Sequence, residues 1–358
     1  MSKFHRLSVS SVEPETRDAV AITFAVPEAL AEPFRYSAGQ HLTLRADIDG
    51  QDVRRSYSIC SGVHDGSLRI AVKRNPGGVF SAWANETLKI GDTLEVLPPL
   101  GHFGLPLDAA HRKHYAAFAA GSGITPLLSI IKTTLATEPE SKFTVFYGNR
   151  ASGTVMFKEE LAALKDTYLT RFNLVHVLSR EAQDIELLHG RIDRAKAEAL
   201  LTYWLDLDEI DAVFVCGPDG MMQSVVEALK VRGYPEAQVR IERFATSVPR
   251  HEHRSSKPVE PGRTDCEVTV VLEGVTRSFT LEKGKENILE AGLKAGVELP
   301  YSCKSGVCST CRAKLTAGEV DMDVNFALED YEVARGFVLT CQSHPVTDRV
   351  TVDYDQTG

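Results

Sequence analysis

The chain has 358 residues, 43% of them hydrophobic and 25% charged, with a formal net charge of −9. That length exceeds one ordinary core and fits two or three domains of a soluble globular protein, while the acidic balance and the lack of a basic block exclude a general nucleic-acid binder. The most apolar stretch, Tyr115 to Ile131, is broken by Gly-Ser-Gly and Thr-Pro and makes no membrane span. Met1-Ser2-Lys3-Phe4-His5 has no apolar run of the kind a secretory leader needs. Of seven cysteines, Cys60, Cys216 and Cys266 stand far apart, which predicts a reducing cytoplasm as the protein's location.

Residues 1–106 read as an all-β domain. Short alternating runs at Leu42-Thr43-Leu44, Leu68 to Val72 and Thr93 to Val96 are separated by turns such as Ala38-Gly39-Gln40 and Ile90-Gly91-Asp92, which predicts a small antiparallel barrel. Within it, Arg55-Ser56-Tyr57-Ser58 lies on a strand, with Arg55 and Tyr57 on one face and Ser58 on the other. Lys73 to Ser81 follows, with Gly77-Gly78 opening a short helix; free amides there form a candidate anion site.

Residues 107–245 alternate strands and helices, which predicts a parallel sheet. A buried strand, His114 to Ala120, runs into Gly121-Ser122-Gly123-Ile124-Thr125-Pro126, with Thr125 expected as helix N-cap and Pro126 as the first helical residue. A second strand-to-helix turn is Cys216-Gly217-Pro218, where Cys216 also reads as an inert packed thiol. Ile241-Glu242-Arg243-Phe244 closes the domain. Two strands end in Asn149-Arg150 and Ser179-Arg180, with Glu181 beside the second. Arginine at such an end suits a 2′-phosphate, whereas a carboxylate suits a ribose hydroxyl.

Residues 246–263 have the polar, proline-rich composition of a linker. Residues 264–358 form a last domain. Glu267 to Leu272 and Thr276 to Leu281 read as a hairpin around Gly274, and Asn287 to Ala295 as an amphipathic helix. Then Cys303, Cys308 and Cys311 fall in a C-x4-C-x2-C run, with Cys341 thirty positions on in a segment, Leu339 to Ser343, expected to be a strand. That is the plant-type ligand spacing for a [2Fe–2S] cluster, and Gly306 permits the tight curl it requires. A structural zinc site usually shows two C-x2-C knuckles, and disulfides are disfavoured by three cysteines within nine residues. The acidic run Gly318 to Asp323 with Glu329, Asp330 and Glu332 reads as a solvated face or a docking face for a partner.

In this order, R-x-Y-S, the glycine loop, G-S-G-I-T-P and C-G-P resemble the ferredoxin–NADP⁺ reductase superfamily. The last domain resembles a plant-type ferredoxin with a β-grasp sheet. The resemblance implies that Arg55 pairs with the flavin phosphate, Tyr57 stacks on the isoalloxazine and Ser58 hydrogen-bonds near N5. It counts Lys73 among the cofactor contacts, and Gly77, Gly78 and Ser81 around the pyrophosphate of FAD, preferred to FMN because the closest relatives carry FAD. It also implies that Gly121, Gly123 and Thr125 admit the pyridine nucleotide and that Cys216, with Gly217, abuts the nicotinamide. Glu242 and Phe244 would pack beside the flavin, although a closing strand packed on its sheet explains them as well. Arg150, Ser179 and Arg180 resemble a 2′-phosphate clamp, which implies NADPH as donor.

Reductase first and ferredoxin last is the arrangement of electron-transfer components of bacterial oxygenases. Phe4 to Leu7, Glu15 to Val20, Gly101 to Gly104 and His189 to Asp193 look most like the reductase subunits of the phenylacetyl-CoA 1,2-epoxidase family. That likeness implies electron flow from NADPH through FAD and iron–sulfur to a di-iron oxygenase complex. Reductases of other oxygenases, or of hybrid-cluster proteins, carry nearly the same motifs. A non-enzymatic redox sensor would need an output or DNA-binding element, and no segment supplies one.

Overall fold

In the computed structural model, which describes residues 3–245 and 264–356, the alternating runs at the start of the chain become six strands. These are β1 (His5–Thr16), β2 (Ala19–Ala25), β3 (His41–Ile48), β4 (Gln51–Ser58), β5 (Leu68–Lys73) and β6 (Thr93–Val96). Their order is β4-β3-β6-β1-β2-β5. Just past β4, Ile59 bridges Ile70 of β5, and the Cys60 amide donates to the Arg69 carbonyl at 2.8 Å, so the two edges meet and the sheet closes. Closure removes unpaired edges and leaves an inner face filled by Leu7, Ile22, Leu42, Leu44, Ile70 and Val96. Helix α1 (Val79–Glu86) starts at Gly78 and adds Phe80 and Ala84 to that core. The barrel expected from the turn spacing is present.

The next sheet holds β7 (His114–Ala120), β8 (Lys142–Asn149), β9 (Phe172–Leu178), β10 (Ala212–Cys216) and β11 (Val239–Glu242), all parallel, in the order β11-β10-β7-β8-β9. Helices α2 (Ile124–Thr137), α3 (Lys158–Thr167), α4 (Arg194–Trp204) and α5 (Asp219–Val231) connect them. The chain runs outward from β7 through β9 and resumes on the other side at β10. That reversal is the switch point at which doubly wound sheets open a ligand crevice. Residues 115–119 and 212–216 are buried throughout, as expected of strands covered on both faces.

Barrel and parallel sheet belong to one compact unit, His5–Val53 with Tyr57–Arg243. Ion pairs join them: Arg69 lies 2.6 Å from Glu160, and Lys132 lies 2.5 Å from Asp65 and 2.6 Å from Glu160. Glu15 also accepts the Phe157 amide at 3.1 Å.

The second unit comprises Phe244–Gly358 together with Met1–Phe4 and Arg54–Ser56. Its strands are β12 (Asp265–Leu272), β13 (Val275–Glu282), β14 (Arg312–Ala317), β15 (Val320–Met322), β16 (Phe337–Leu339), β17 (Ser343–Pro345) and β18 (Arg349–Asp353). The main sheet runs β13-β12-β18-β14-β16, with β12 and β18 parallel and the other pairs antiparallel. Glu273 (φ 54°) and Gly274 (φ 72°) turn the expected hairpin in the left-handed pair of a tight β-turn. Helices α6 (Ile288–Lys294) and α7 (Asp330–Ala334) complete the unit; Asn287 caps α6 by accepting the Glu290 amide at 2.9 Å. The predicted linker, 246–263, lies outside the described residues. No helix among the described residues is long and apolar enough to cross a membrane.

Candidate functional site: two nucleotide loops and a four-thiol pocket

At the carboxyl end of the parallel sheet, the turns after β7 and β10 are pressed together. A Cβ on Gly123 would lie 2.1 Å from the Cys216 carbonyl oxygen, and one on Gly217 would lie 3.1 Å from the Ala120 amide nitrogen. Only glycine allows that approach. Gly121, at φ 54°, has open space where a Cβ would sit. One expectation is corrected here. Thr125 is not the N-cap, nor Pro126 the first helical residue: residues 121–123 form a 3₁₀ turn that feeds α2 at Ile124. The Ile124 amide finds the Gly121 and Ser122 carbonyls, so the helix starts earlier, and the buried Thr125 hydroxyl donates to the Ser122 carbonyl at 3.0 Å.

Cys216 ends β10 in register with Glu242 of β11. Ser58, buried at the end of β4, donates to Glu242 Oε2 at 3.4 Å. Residues 184 positions apart thus meet, and with Cys216 they form one cluster in the first unit. Burial pushes the Cys216 thiol well above its usual range, and the Glu242 charge adds to this. Burial also raises the Glu242 carboxyl to about 8, against the opposing Ser58 hydrogen bond. Glu242 therefore keeps its proton at neutral pH. An unfolded glutamate ionises near the ordinary value of 4.5 while the folded one holds its proton to about 8, so folding stability should fall as pH rises between those values. Thermal melts of the flavin-free protein should show this decline, and Glu242→Gln should flatten it. A decline unchanged in the variant would assign the effect to another group.

The remaining flavin-site expectations are placed as follows. Arg55 is exposed on β4, its guanidinium donating to the Arg54 carbonyl at 2.7 Å. Tyr57 is half-buried, its ring 5.5 Å from that of Phe80. Lys73 pairs with Asp18 at 3.8 Å. Gly77 takes φ 73° with open space around it, whereas the buried Ser81 hydroxyl ties the loop together, accepting the Asn75 amide and donating to the Gly78 carbonyl, each at 3.1 Å. Ser81 shapes the loop from beneath. Phe244 falls in the other unit. At the ends of β8 and β9, the Ser179 amide donates to the Asn149 carbonyl (2.9 Å) and the Arg180 amide to the Arg150 carbonyl (2.7 Å), which brings the exposed Arg150 and Arg180 side by side. Glu181 is engaged by the Ser152 amide and hydroxyl at 2.7 and 2.9 Å, and these bonds hold its carboxyl below the usual range.

In the second unit the four cysteines come together as two pairs. Cys303 and Cys308 share a sulfur hydrogen bond, as do Cys311 and Cys341. The Cys308 bond, with the Ser305 and Val307 amides, brings Cys303 down to about 5 against its burial, while Cys308 and Cys311 are pushed well up. Lys304 (φ 51°), Gly306 (φ 75°) and Ser309 (φ 50°) curl the loop, and the Ser305 amide points at Cys303 Sγ from 3.3 Å. The Ser305 hydroxyl, also buried, adds to the groups that lower Cys303. Four thiols in two pairs, ringed by inward amides, fit a two-iron cluster. Cys341 lies in the turn between β16 and β17 and not on the strand that its neighbours predict; the Gln342 amide closes that turn on the Leu339 carbonyl at 2.9 Å. Sequence reasoning misses Gln342, although it stands within the Leu339 to Ser343 run. Its carboxamide lies 3.5 Å from Cys341 Sγ and donates to the Lys304 carbonyl at 3.3 Å.

Comparison with known proteins agrees with this division. Residues 6–104 match the oxidoreductase FAD-binding domain, 118–227 the oxidoreductase NAD-binding domain and 270–346 the 2Fe-2S iron-sulfur cluster binding domain. The chain is 48% identical to one of the subunits of 1,2-phenylacetyl-CoA epoxidase from Escherichia coli K12, over 100% of this chain and 99% of that one. The chain belongs to the family of oxygenase reductase components. This reductase is also 36% identical to the ferredoxin reductase component of 3-ketosteroid-9-alpha-monooxygenase from Rhodococcus rhodochrous, over 97% of this chain and 96% of the other. Phthalate dioxygenase reductase, a solved structure described as modular for electron transfer from pyridine nucleotides to [2Fe-2S], superposes with a TM-score of 0.59 at 25% identity, covering 98% of each chain. The reductase is thus an NAD(P)H-dependent flavin and iron–sulfur electron-transfer protein that serves an oxygenase.

Proposed function

We propose that this reductase draws on NADPH and delivers electrons to a di-iron oxygenase complex that epoxidises phenylacetyl-CoA. The observation that carries the choice of partner is the 48% identity along the whole chain to a component of the epoxidase, against 36% to the ketosteroid enzyme's reductase. Bound FAD accepts a hydride and releases electrons singly, the form in which a [2Fe–2S] centre takes them. The chain's own residues bind and orient. Arg55 meets the flavin phosphate, Gly77 and Gly78 admit the pyrophosphate over a loop tied by Ser81, and Lys73 lies at its edge. Tyr57 packs on the flavin ring, and Ser58 and the protonated Glu242 sit near N5. Gly121, Gly123, Thr125 and Gly217 line the nucleotide crevice, and Cys216 limits how deep the nicotinamide enters. Cys303, Cys308, Cys311 and Cys341 ligate the cluster. Co-purification with the oxygenase components of the epoxidase, followed by NADPH-driven epoxidation of phenylacetyl-CoA in the reconstituted mixture, tests the partner. Turnover with a different oxygenase and none with the epoxidase would replace it.

The preference for NADPH rests on Arg150 and Arg180 at adjoining strand ends, with the nearby Glu181 engaged by Ser152. Each guanidinium offers a fork of donors to a 2′-phosphate. Arg180→Ala should lower kcat/KM for NADPH by roughly 10- to 100-fold, the worth of a charge-assisted contact, and barely change that for NADH. Equal losses with both would place the clamp elsewhere.

A further inference from the structure

Tyr147 lies on β8 beside β7, opposite Ala119, and is fully buried. Its hydroxyl donates across the sheet end to the carbonyl of Gly121 at 2.9 Å. A phenol has a single proton, and this bond commits it to that carbonyl. Burial raises the phenol far above its usual range, so the proton stays in place at any working pH. A trans peptide points its C=O and N–H in opposite directions. With the Gly121 carbonyl drawn inward to Tyr147, the Ser122 amide points the opposite way.

We infer that Tyr147 is a positioning residue for the pyridine nucleotide, holding the Gly121–Ser122 peptide so that the Ser122 amide meets the dinucleotide's phosphates. The inference rests on the reading of the 121–123 loop as the nucleotide site. Without this hydroxyl the Gly121 carbonyl keeps only the Ile124 amide as a partner, and the peptide is held less firmly, because the left-handed φ at Gly121 is one of several conformations open to glycine. Tyr147 is fully buried and acts only through the Gly121 carbonyl, so its effect should appear in affinity and leave the chemical step alone.

The test is Tyr147→Phe in the full holoprotein, with NADPH titrated against ferricyanide reduction and NADP⁺ binding read from the flavin difference spectrum. A neutral hydrogen bond predicts that KM and Kd rise about three- to tenfold, with kcat, flavin content and cluster absorbance kept. In the unmodified protein, NADP⁺ should slow hydrogen exchange at the Ser122 amide, a readout that holds whether or not the variant folds. An unchanged Kd in Y147F, or no added protection at Ser122, overturns the inference. Gly121→Val separates the two readings. If it abolishes NADP⁺ binding while Y147F leaves it unaltered, only the role of Tyr147 falls; if G121V binds NADP⁺ normally, the loop is not the nucleotide site and both fall.

Discussion

Cys308→Ser should cut NADPH-driven reduction of cytochrome c by roughly a hundredfold or more, while reduction of ferricyanide, which flavin alone supports, stays largely intact. The expectation follows from the location of the thiol. Cys308 is buried and shares a sulfur hydrogen bond with Cys303. Serine keeps the size but removes the thiolate that iron requires. Tyr57, Ser58, the loop from Gly77 to Ser81 and the turns at Gly121–Gly123 and Cys216–Gly217 belong to a separate compact unit, with its own core. Its hydride uptake therefore has no structural reason to fail. The variant should also lose the red-brown iron–sulfur absorbance while keeping the yellow of flavin. Loss of ferricyanide activity together with the cytochrome activity, in protein that still holds FAD, would show that the two units depend on each other.

The contrast between what is legible in the chain and what is not has a physical origin. Cysteine spacing can be read directly because a cluster needs thiolates within a few ångströms, and a nine-residue loop supplies three only when it curls as residues 304–309 do. Glycines are equally informative, since Gly123 and Gly217 stand where two backbones touch. Local signals fail where backbone groups have a choice of partner. Thr125 has the chemistry of an N-cap, yet a 3₁₀ turn already satisfies the helix's first donors. Cys341 follows a strand-forming run, but delivery of the thiol needs a chain reversal at Thr340–Gln342. Nothing local announces Ser58 against Glu242, or Tyr147 against Gly121, because each contact exists only after the sheets have assembled.

Gly123→Ala should be the most damaging single methyl in the nucleotide unit. The backbone at Gly123 is in the ordinary helical region (φ −62°, ψ −9°), so conformation is not the obstacle. The obstacle is contact: the new carbon would fall 2.1 Å from the Cys216 oxygen, 2.5 Å from its carbonyl carbon and 2.9 Å from the Gly217 nitrogen. All three are backbone atoms, which cannot rotate away as a side chain does. The ends of β7 and β10 would have to part by about an ångström, in an interior packed too densely to take it up. Overpacking of this kind costs roughly 1–3 kcal/mol or more, and here it also spreads the crevice that receives the nucleotide. We expect NADPH affinity to fall by about two orders of magnitude and the melting temperature to drop by several degrees. Two neighbours calibrate the result. Gly121→Ala meets open space but is held at φ 54°, a strain of about 1–2 kcal/mol. Gly153→Ala meets open space without a left-handed backbone and should behave as wild type. The expected order of damage is therefore Gly123, Gly121, Gly153, read from NADPH titrations and thermal melts on the same preparations. If Gly123→Ala proves as benign as Gly153→Ala, the two turns do not close on each other, and the crevice has no fixed floor against which Cys216 could limit the nicotinamide.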